Sequence, residues 1–425
     1  QGFYVSGSDL VKNKNTIRLN SLGAKIFIGH NEKNVRNSDV VVYSSAVNIS
    51  NPEMKAAKSL NITLIPRAEM LSSLMRGFQS IAVAGSHGKT TTTSLIADIF
   101  VRAKLDPTFI IGGKILGQEN KSILGTGDYL IVEADESDAS FLHLNPEISV
   151  VTNIDNDHLD YYENNLEKLD STFLQFLENL PFFGSAIICT DSERSKKVFE
   201  NLSRPKISYG FDKKADYFIK DLKQQAKFQK FKIIRNSTGK EISLELTLSG
   251  KHNALNATAA FIVAQKAGIN TKVIKDSFKN FGGVSRRLEF KADLKIGGKS
   301  VTLIDDYGHH PTELKATIEA LKSTNPNKKI CMIFQPHRYS RSTLLFNEFI
   351  DCLRDVDTSI ILDIYSAGEQ NLQKISSYDF VNALIEKKKN AFFAKNLKEI
   401  CKILESEIKG NEIIVTQGAG NIVDI

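Results

Sequence analysis

The sequence predicts an α/β protein of three units, each built on a mainly parallel sheet. Short apolar runs at 25–29, 40–44, 81–84, 129–134, 148–153, 330–335 and 412–416 read as strands buried on both faces. Between them lie stretches long enough for helices, the usual connection between parallel strands. The chain has 425 residues, 41% of them hydrophobic, which is material for several cores rather than one.

The units are expected at 1–78, 79–284 and 285–425. In the first, His30 follows one strand and Ser44 and Ser45 end the next. Ligands of open parallel sheets sit at such carboxyl ends, so these three are candidate substrate contacts. The second holds a strand at 81–84, a helix over 90–103 and strands at 129–134, 148–153 and 185–190. Residues 161–180 read as helical, 206–249 as a small β-rich insert and 253–267 as a helix. The third alternates strands at 301–305, 330–335, 359–363 and 412–416 with helices over 311–322, 341–354, 378–388 and 396–408.

Composition excludes several classes. The net charge of +6 is dispersed, apart from Lys387 to Lys389, which reads as a solvated helix face. No Lys/Arg stripe is interleaved with aromatics, so no nucleic-acid partner is expected. Cys189, Cys331, Cys352 and Cys401 form no metal-ligand or disulfide spacing, which suits a reducing, cytoplasmic setting. No apolar run approaches the ~20 residues a membrane helix needs, and no signal peptide is visible. The chain starts at Gln1, without Met, at what reads as a strand end, so residues are expected to be missing before it.

The segment Gly85-Ser86-His87-Gly88-Lys89-Thr90 follows an apolar strand and opens a helix. Glycines let such a loop curl so that backbone N–H groups meet a phosphate, and the helix N-terminus adds about half a positive charge. Lys89 is placed to reach the β- and γ-phosphates, and the Thr90 hydroxyl to ligate Mg²⁺. The first glycine stands closer to the lysine than in the standard loop, so this is a variant; the bland alternative is an ordinary strand-to-helix turn. Downstream, Glu133 ends a strand within an acid-rich run to Asp138, and His158 follows the next strand. A carboxylate beside a phosphate loop commonly holds Mg²⁺, which makes Glu133 the first metal candidate. A histidine is an unusual Mg²⁺ ligand, so His158 implies binding through water or a site that also accepts Mn²⁺.

Four segments occur in order: 85–93 around the loop, 133–138, 152–160 and 250–256. Together they resemble the Mur ligase family, which adds amino acids to the muramyl precursor of peptidoglycan. Asp305 to Glu313 and Phe334 to Arg341 resemble its alanine-adding branch. The likeness spans nearly the whole chain. It implies an N-terminal Rossmann-like domain (here truncated), a central P-loop ATPase-type parallel sheet and a C-terminal Rossmann-like domain. The implied reaction is ATP-dependent ligation of L-alanine to the lactyl carboxylate of UDP-N-acetylmuramate, through an acyl phosphate, by a monomer or homodimer. Matching positions imply that Gly85, Ser86, His87, Gly88, Lys89, Thr90 and Thr91 hold ATP phosphates. Thr90, Glu133 and His158 organise metal, and Asn153 lies near the reacting carboxylate. His252, Asn253 and Asn256 contact the nucleotide, although Asn253 also suits a helix N-cap. Arg287 meets ATP and Asp306 the ribose. Tyr307, His309, His337, Arg338 and Arg341 form the alanine pocket, where an arginine fork suits a carboxylate; His309 or His337 accepts the amine proton.

The family's N-terminal strand and glycine-rich turn are absent, so a chain of this length is expected to bind the UDP substrate poorly. No match to the carbamylated lysine of sister ligases is found. The rival readings are a ligase that reattaches a tripeptide to the same nucleotide sugar, a folate–glutamate ligase, and a nucleotide-binding module without turnover.

Overall fold

The computed structural model describes residues 2–44, 47–116, 122–159, 161–225 and 228–424; Ser45 lies outside them. The strand Gln79–Ala84 sits inside a ten-stranded sheet, flanked by Ile148–Val151 on one side and Tyr129–Glu133 on the other. All three run parallel, with Val83 beside Glu133 and Ala84 beside Val151. That register brings their carboxyl ends together, so the loops after residues 84, 133 and 151 share one edge.

Apolar side chains cover both faces of this sheet. Ile81, Val83, Ile131 and Val150 pack with Phe100, Phe261 and Phe278 from the helices Lys89–Arg102, Lys251–Lys266 and Thr271–Lys279. Ala82, Val132 and Val151 pack with Phe173 and Phe176 of the helix Leu166–Glu178, and with Phe141. Phe141 stacks on Phe176 (4.7 Å) and meets Phe173 edge-on (5.2 Å). The helix expected from residue 161 begins only at Leu166. Glu163 and Asn164 have φ near +55°, and Asn165 caps the helix by accepting from Glu167 and Lys168 N–H.

The segment 206–249 is not a separate insert. Lys206–Gly210 pairs parallel with Ser185–Cys189, and Tyr217–Gln224 continues the same sheet before a hairpin of Gln229–Arg235 and Lys240–Leu246. Tyr217–Gln224 escaped the sequence reading because four of its eight residues are Lys, Asp or Gln, as a half-exposed strand permits.

The C-terminal sheet has six strands in the order Glu289–Ile296, Lys299–Asp306, Glu412–Gln417, Ile330–Phe334, Thr358–Ile361, Asn390–Phe393. The first two form a hairpin through Gly297 and Gly298, both at positive φ; the other pairings are parallel. Glu289–Ile296 is a polar edge strand, which is why periodicity missed it. The helix expected over 341–354 is two, Tyr339–Leu344 and Phe346–Leu353, broken at Leu345.

The N-terminal strands differ most from expectation. Ser6–Asp9 pairs with Lys25–Ile28, and Val40–Tyr43 with Thr63–Pro66, as two separate parallel pairs. They are not buried on both faces: Ile28, Val40 and Val42 are exposed. Among the described residues, no helix is long and apolar enough to cross a membrane.

Phe173 is fully buried, edge-on to the Phe141 ring. Phe173→Ala is expected to lower stability by about 3–5 kcal/mol, read as an earlier urea transition of the central unit. A shift under about 1 kcal/mol would show that this packing does not hold the sheet's second face.

Candidate active site

The phosphate loop is shaped by its neighbour strand end. Gly85 has φ +132°, and a Cβ there would lie 2.1 Å from Thr152 Oγ1; Gly88 has φ +82°, and its Cβ would lie 2.6 Å from Asn256 Oδ1. Both positions therefore demand glycine. His87 N–H donates to Asn153 Oδ1 (2.9 Å), and Asn153 Nδ2 donates to His87 O (2.9 Å). Ser86 N–H donates to Asn153 O (3.2 Å), and Asp155 N–H to Ser86 Oγ (2.9 Å). The amides of Ser86 and His87 are thus spent inside the protein. The donors left for an anion belong to the first helical turn, Lys89 to Thr91, before the Thr92 N–H bond to Gly88 O. Asn153 has both ends of its amide on the loop, so it braces the loop.

Lys89 Nζ donates to Gly85 O (2.6 Å) and to Glu136 Oε1 (2.9 Å). Burial alone lowers a lysine; the Glu136, Glu133 and Asp135 carboxylates outweigh it, so Lys89 stays a cation. Glu136 is 2% exposed, and burial pushes its carboxyl up to about 7 although Lys89 opposes the rise. Tyr162 Oη donates to the Glu136 backbone carbonyl.

Thr90 Oγ1 donates to Glu133 Oε1 (2.9 Å), while Glu133 Oε2 accepts from Gly112 N–H (2.7 Å). A hydroxyl and a carboxylate oxygen side by side, at the start of the loop helix, suit a hard divalent cation. His158 has φ +54° and lies in the field of Arg341 and Lys89. Its burial and those cations lower its pKa, which keeps an imidazole neutral and available as a ligand.

Asn256 Nδ2 donates to Asn253 Oδ1 (3.1 Å), and Asn253 Nδ2 to Ser249 O (2.7 Å). Asn253 is inside the helix; Gly250, at φ +100°, is its N-cap. His252 is held neutral, its pKa lowered to about 4 by burial and by Arg287. Arg287 donates to Glu313 Oε1 (3.1 Å) and lies over the Tyr307 ring. Asp306 ends the strand Lys299–Asp306. It is 5% exposed and accepts from Leu288 N–H (2.8 Å), Gly308 N–H (2.9 Å), Gln417 Nε2 (3.0 Å) and Thr317 Oγ1 (3.3 Å). Those four donors make it the brace of the 286–308 turn.

Five residues expected in one pocket do meet. Tyr307 packs on His309 (5.5 Å), His309 on His337 (5.2 Å), and His337 stacks on Tyr365 (5.5 Å). Arg341 Nη1 lies 3.4 Å from His337 Nδ1, and its Nη2 donates to Asp157 Oδ1 (2.6 Å). Arg338 heads the short helix at φ +70°, and its buried Nε has no hydrogen-bond partner among the described residues. Burial and neighbouring charges lower His309 to about 3 and His337 to about 4, so both are neutral near pH 7. A cavity of about 30 Å³ lies between Asp157–His158 and Arg338–Arg341.

His30 stands apart from this cluster, in a polar knot of its own. Its Nδ1 lies 3.0 Å from Ser8 Oγ, which donates to Glu53 Oε2 (2.6 Å); Asn34 Nδ2 also donates to Glu53 (2.6 Å). The Ser44 carbonyl accepts from Val47 N–H (2.9 Å).

Sequence reading assigned no role to Glu136, Asp155, Asp157, His310 or Glu313. Asp155 accepts from His87 Nε2 (3.0 Å) and Thr312 Oγ1 (2.6 Å), and Glu313 accepts from Arg287 and from His309 N–H (2.9 Å). The one sequence signal was the capping box of His310 and Glu313 at a Pro-initiated helix; the rest depends on contacts 26 to 184 residues apart in sequence.

With this geometry in hand, the chain's kinship is clear: it belongs to the Mur ligase family. Residues 1–79 match that family's catalytic-domain model, 83–264 its middle domain and 286–420 the glutamate ligase domain. A UDP-N-acetylmuramate–L-alanine ligase of Vesicomyosocius okutanii is 44% identical over 422 residues, covering 99% of this chain and 90% of that one. The solved UDP-N-acetylmuramate–alanine ligase of Thermotoga maritima superposes with a TM-score of 0.80 at 26% identity, covering 99% and 91%. A murein peptide ligase of Psychrobacter arcticus shares the fold, with a TM-score of 0.69 at 22% identity over 99% and 91%.

Glu136 gives a pH test. Its folded pKa is raised, so the native state keeps this proton to higher pH than the unfolded chain. The stability it contributes is complete below its ordinary 4.5 and is lost as pH rises through about 7. Lys89→Met removes the opposing charge. Urea titrations between about pH 5 and about pH 8 should then show a loss roughly 1–3 kcal/mol larger than in the parent; equal slopes would contradict the pairing.

Proposed function

We propose that this chain joins L-alanine to the lactyl carboxylate of UDP-N-acetylmuramate, using ATP, in cytoplasmic peptidoglycan precursor synthesis. One observation carries the reading beyond kinship. The segment 153–158 ties the phosphate loop to the Arg/His cluster: Asn153 and Asp155 hold the loop, and Asp157 holds Arg341. A triphosphate site and a carboxylate-binding site are thereby neighbours, as ligation of an activated acid requires.

Amide formation from a carboxylate needs a better leaving group than oxide. The lactyl oxygen attacks the γ-phosphorus, ADP departs, and the acyl phosphate then meets the alanine amine and releases phosphate. The first-turn amides of Lys89 to Thr91 and the Lys89 ammonium offset charge on the transferring group. To do so, Lys89 exchanges Glu136 and Gly85 O for phosphate oxygens. Mg²⁺ (or Mn²⁺, which better tolerates imidazole) fits Thr90, Glu133 and neutral His158, and supplies charge neutralisation when bound. Arg338, whose Nε has no hydrogen-bond partner among the described residues, and Arg341 receive the alanine carboxylate. Neutral His309 or His337 accepts the amine proton. His252, Asn253, Asn256 and Arg287 border the nucleotide, and His30, Ser44 and Ser45 the UDP substrate. The three working units divide near residues 78 and 284.

The test is ADP release with UDP-N-acetylmuramate, screened over amino acids. L-alanine should be the strongest activator; release driven by a tripeptide instead would overturn the proposal. Lys89→Ala should lower kcat on the order of 10²–10³-fold. Arg338→Ala should raise KM for L-alanine while leaving KM for ATP near the parent value; the reverse pattern would remove Arg338 from the amino-acid site.

A further inference from the structure

We propose that His87, Asp155 and His310 form a transition-metal site, distinct from the Thr90–Glu133–His158 oxygen-rich site, that clips the phosphate loop to the C-terminal sheet unit. The three offer one ligand atom each, all within 4.8 Å of one another. His87 Nε2 lies 3.0 Å and His310 Nδ1 3.9 Å from Asp155 Oδ2. Ligands of a tetrahedral ion with bonds of about 2.0–2.1 Å lie roughly 3.3 Å apart. The observed separations bracket that value, so small rotations suffice. The two rings are neighbours, with centroids 4.9 Å apart and planes tilted by 37°.

The surroundings are what a metal's ligands need. A ligating histidine normally donates its other ring N–H to a carbonyl or carboxylate, which fixes tautomer and aim. His310 Nε2 lies 3.3 Å from Asn156 O, and His87 Nδ1 lies 3.8 Å from Glu313 Oε1. The ligating carboxylate is supported as well: Asp155 Oδ1 accepts from Asn156 N–H (2.8 Å) and Oδ2 from Thr312 Oγ1 (2.6 Å). Burial lowers the His310 pKa, leaving a neutral imidazole.

Two contacts oppose a metal. His87 is raised in pKa because Asp155, Glu313 and Asp157 outweigh its burial, which favours its protonated form over a metal-ligating one. Thr312 N–H also donates to His310 Nδ1, at a long 3.3 Å. An incoming cation must release one proton and break that weak bond. Two imidazoles and one carboxylate favour Zn²⁺ or Co²⁺ over Mg²⁺, which prefers oxygen. Because the ligands come from residues 87, 155 and 310, the ion would bridge segments more than 150 residues apart in sequence.

The experiment is Zn²⁺ calorimetry on the full chain in millimolar Mg²⁺, followed by Co²⁺ absorption spectroscopy. The parent should bind one Zn²⁺ that Mg²⁺ does not displace. Its Co²⁺ form should show visible d–d bands without the sulfur charge-transfer band expected if exposed Cys401 were the ligand. His310→Gln and Asp155→Asn should each weaken Zn²⁺ at least about 10–100-fold, whereas His158→Gln should retain it. Each variant's circular dichroism and urea midpoint report folding separately; a variant that does not fold is replaced by His87→Gln, for which the same weakening is expected. Absence of a Mg²⁺-resistant Zn²⁺, retention of it in both His310→Gln and Asp155→Asn, loss of it in His158→Gln alone, or a sulfur charge-transfer band overturns the proposal.

Discussion

The hydrogen bonds between Asn153 and His87 are the constraint on which the site depends. A glycine loop by itself has many conformations, and fixing each residue costs about 1–2 kcal/mol. Here the neighbouring strand supplies a ready template. The parallel register of Ala84 with Val151 delivers Thr152 and Asn153 beside the loop, and the Asn153 amide satisfies an N–H and a C=O of the same residue. The helix that follows then presents its free first-turn amides in one direction. A backbone donor set fixed before ligand arrives needs little reorganisation during reaction.

The same strand end reaches further. Asp155 and Asp157 each engage a cation from elsewhere, His87 in one case and Arg341 in the other, and both are held well below the usual carboxylate range although burial pushes the other way. Arg341 and Asp157 are nearly inaccessible to solvent, so removing one partner strands the other. Arg287, Glu313 and His309 continue the network on the C-terminal side. Charge, rather than apolar area, therefore joins the phosphate loop to the residues around Arg338. Burial and nearby cations lower the pKa of His158, His309 and His337, leaving those imidazoles neutral.

Much of this was legible in the sequence where local rules govern. The strand–glycine–helix pattern at 81–102 and the strands ending at Glu133 and Val151 follow from buried apolar runs, and the structure places the loops after them together. Strands that meet water were not legible: Tyr217–Gln224, interior to its sheet, is half-exposed, and Glu289–Ile296 is an edge, so both are rich in charge. The direction in which a polar side chain faces was the least legible property. Asp306 and Asn153 are equally conspicuous at strand ends, yet both turn inward to serve backbone donors and acceptors. Glu136 stands three residues beyond Glu133 in a run of acids, and only packing shows that it, not Asp135, meets Lys89. Such choices are set by residues distant in sequence, which no local pattern encodes.

The most direct measurement of the central claim is calorimetric titration of Asn153→Ala with ATP. Two hydrogen bonds of about 0.5–1.5 kcal/mol each hold the loop, so binding should weaken by roughly tenfold while the fold is retained. An affinity equal to the parent's would mean that the loop holds its shape without Asn153, and that the strand end does not build the phosphate site.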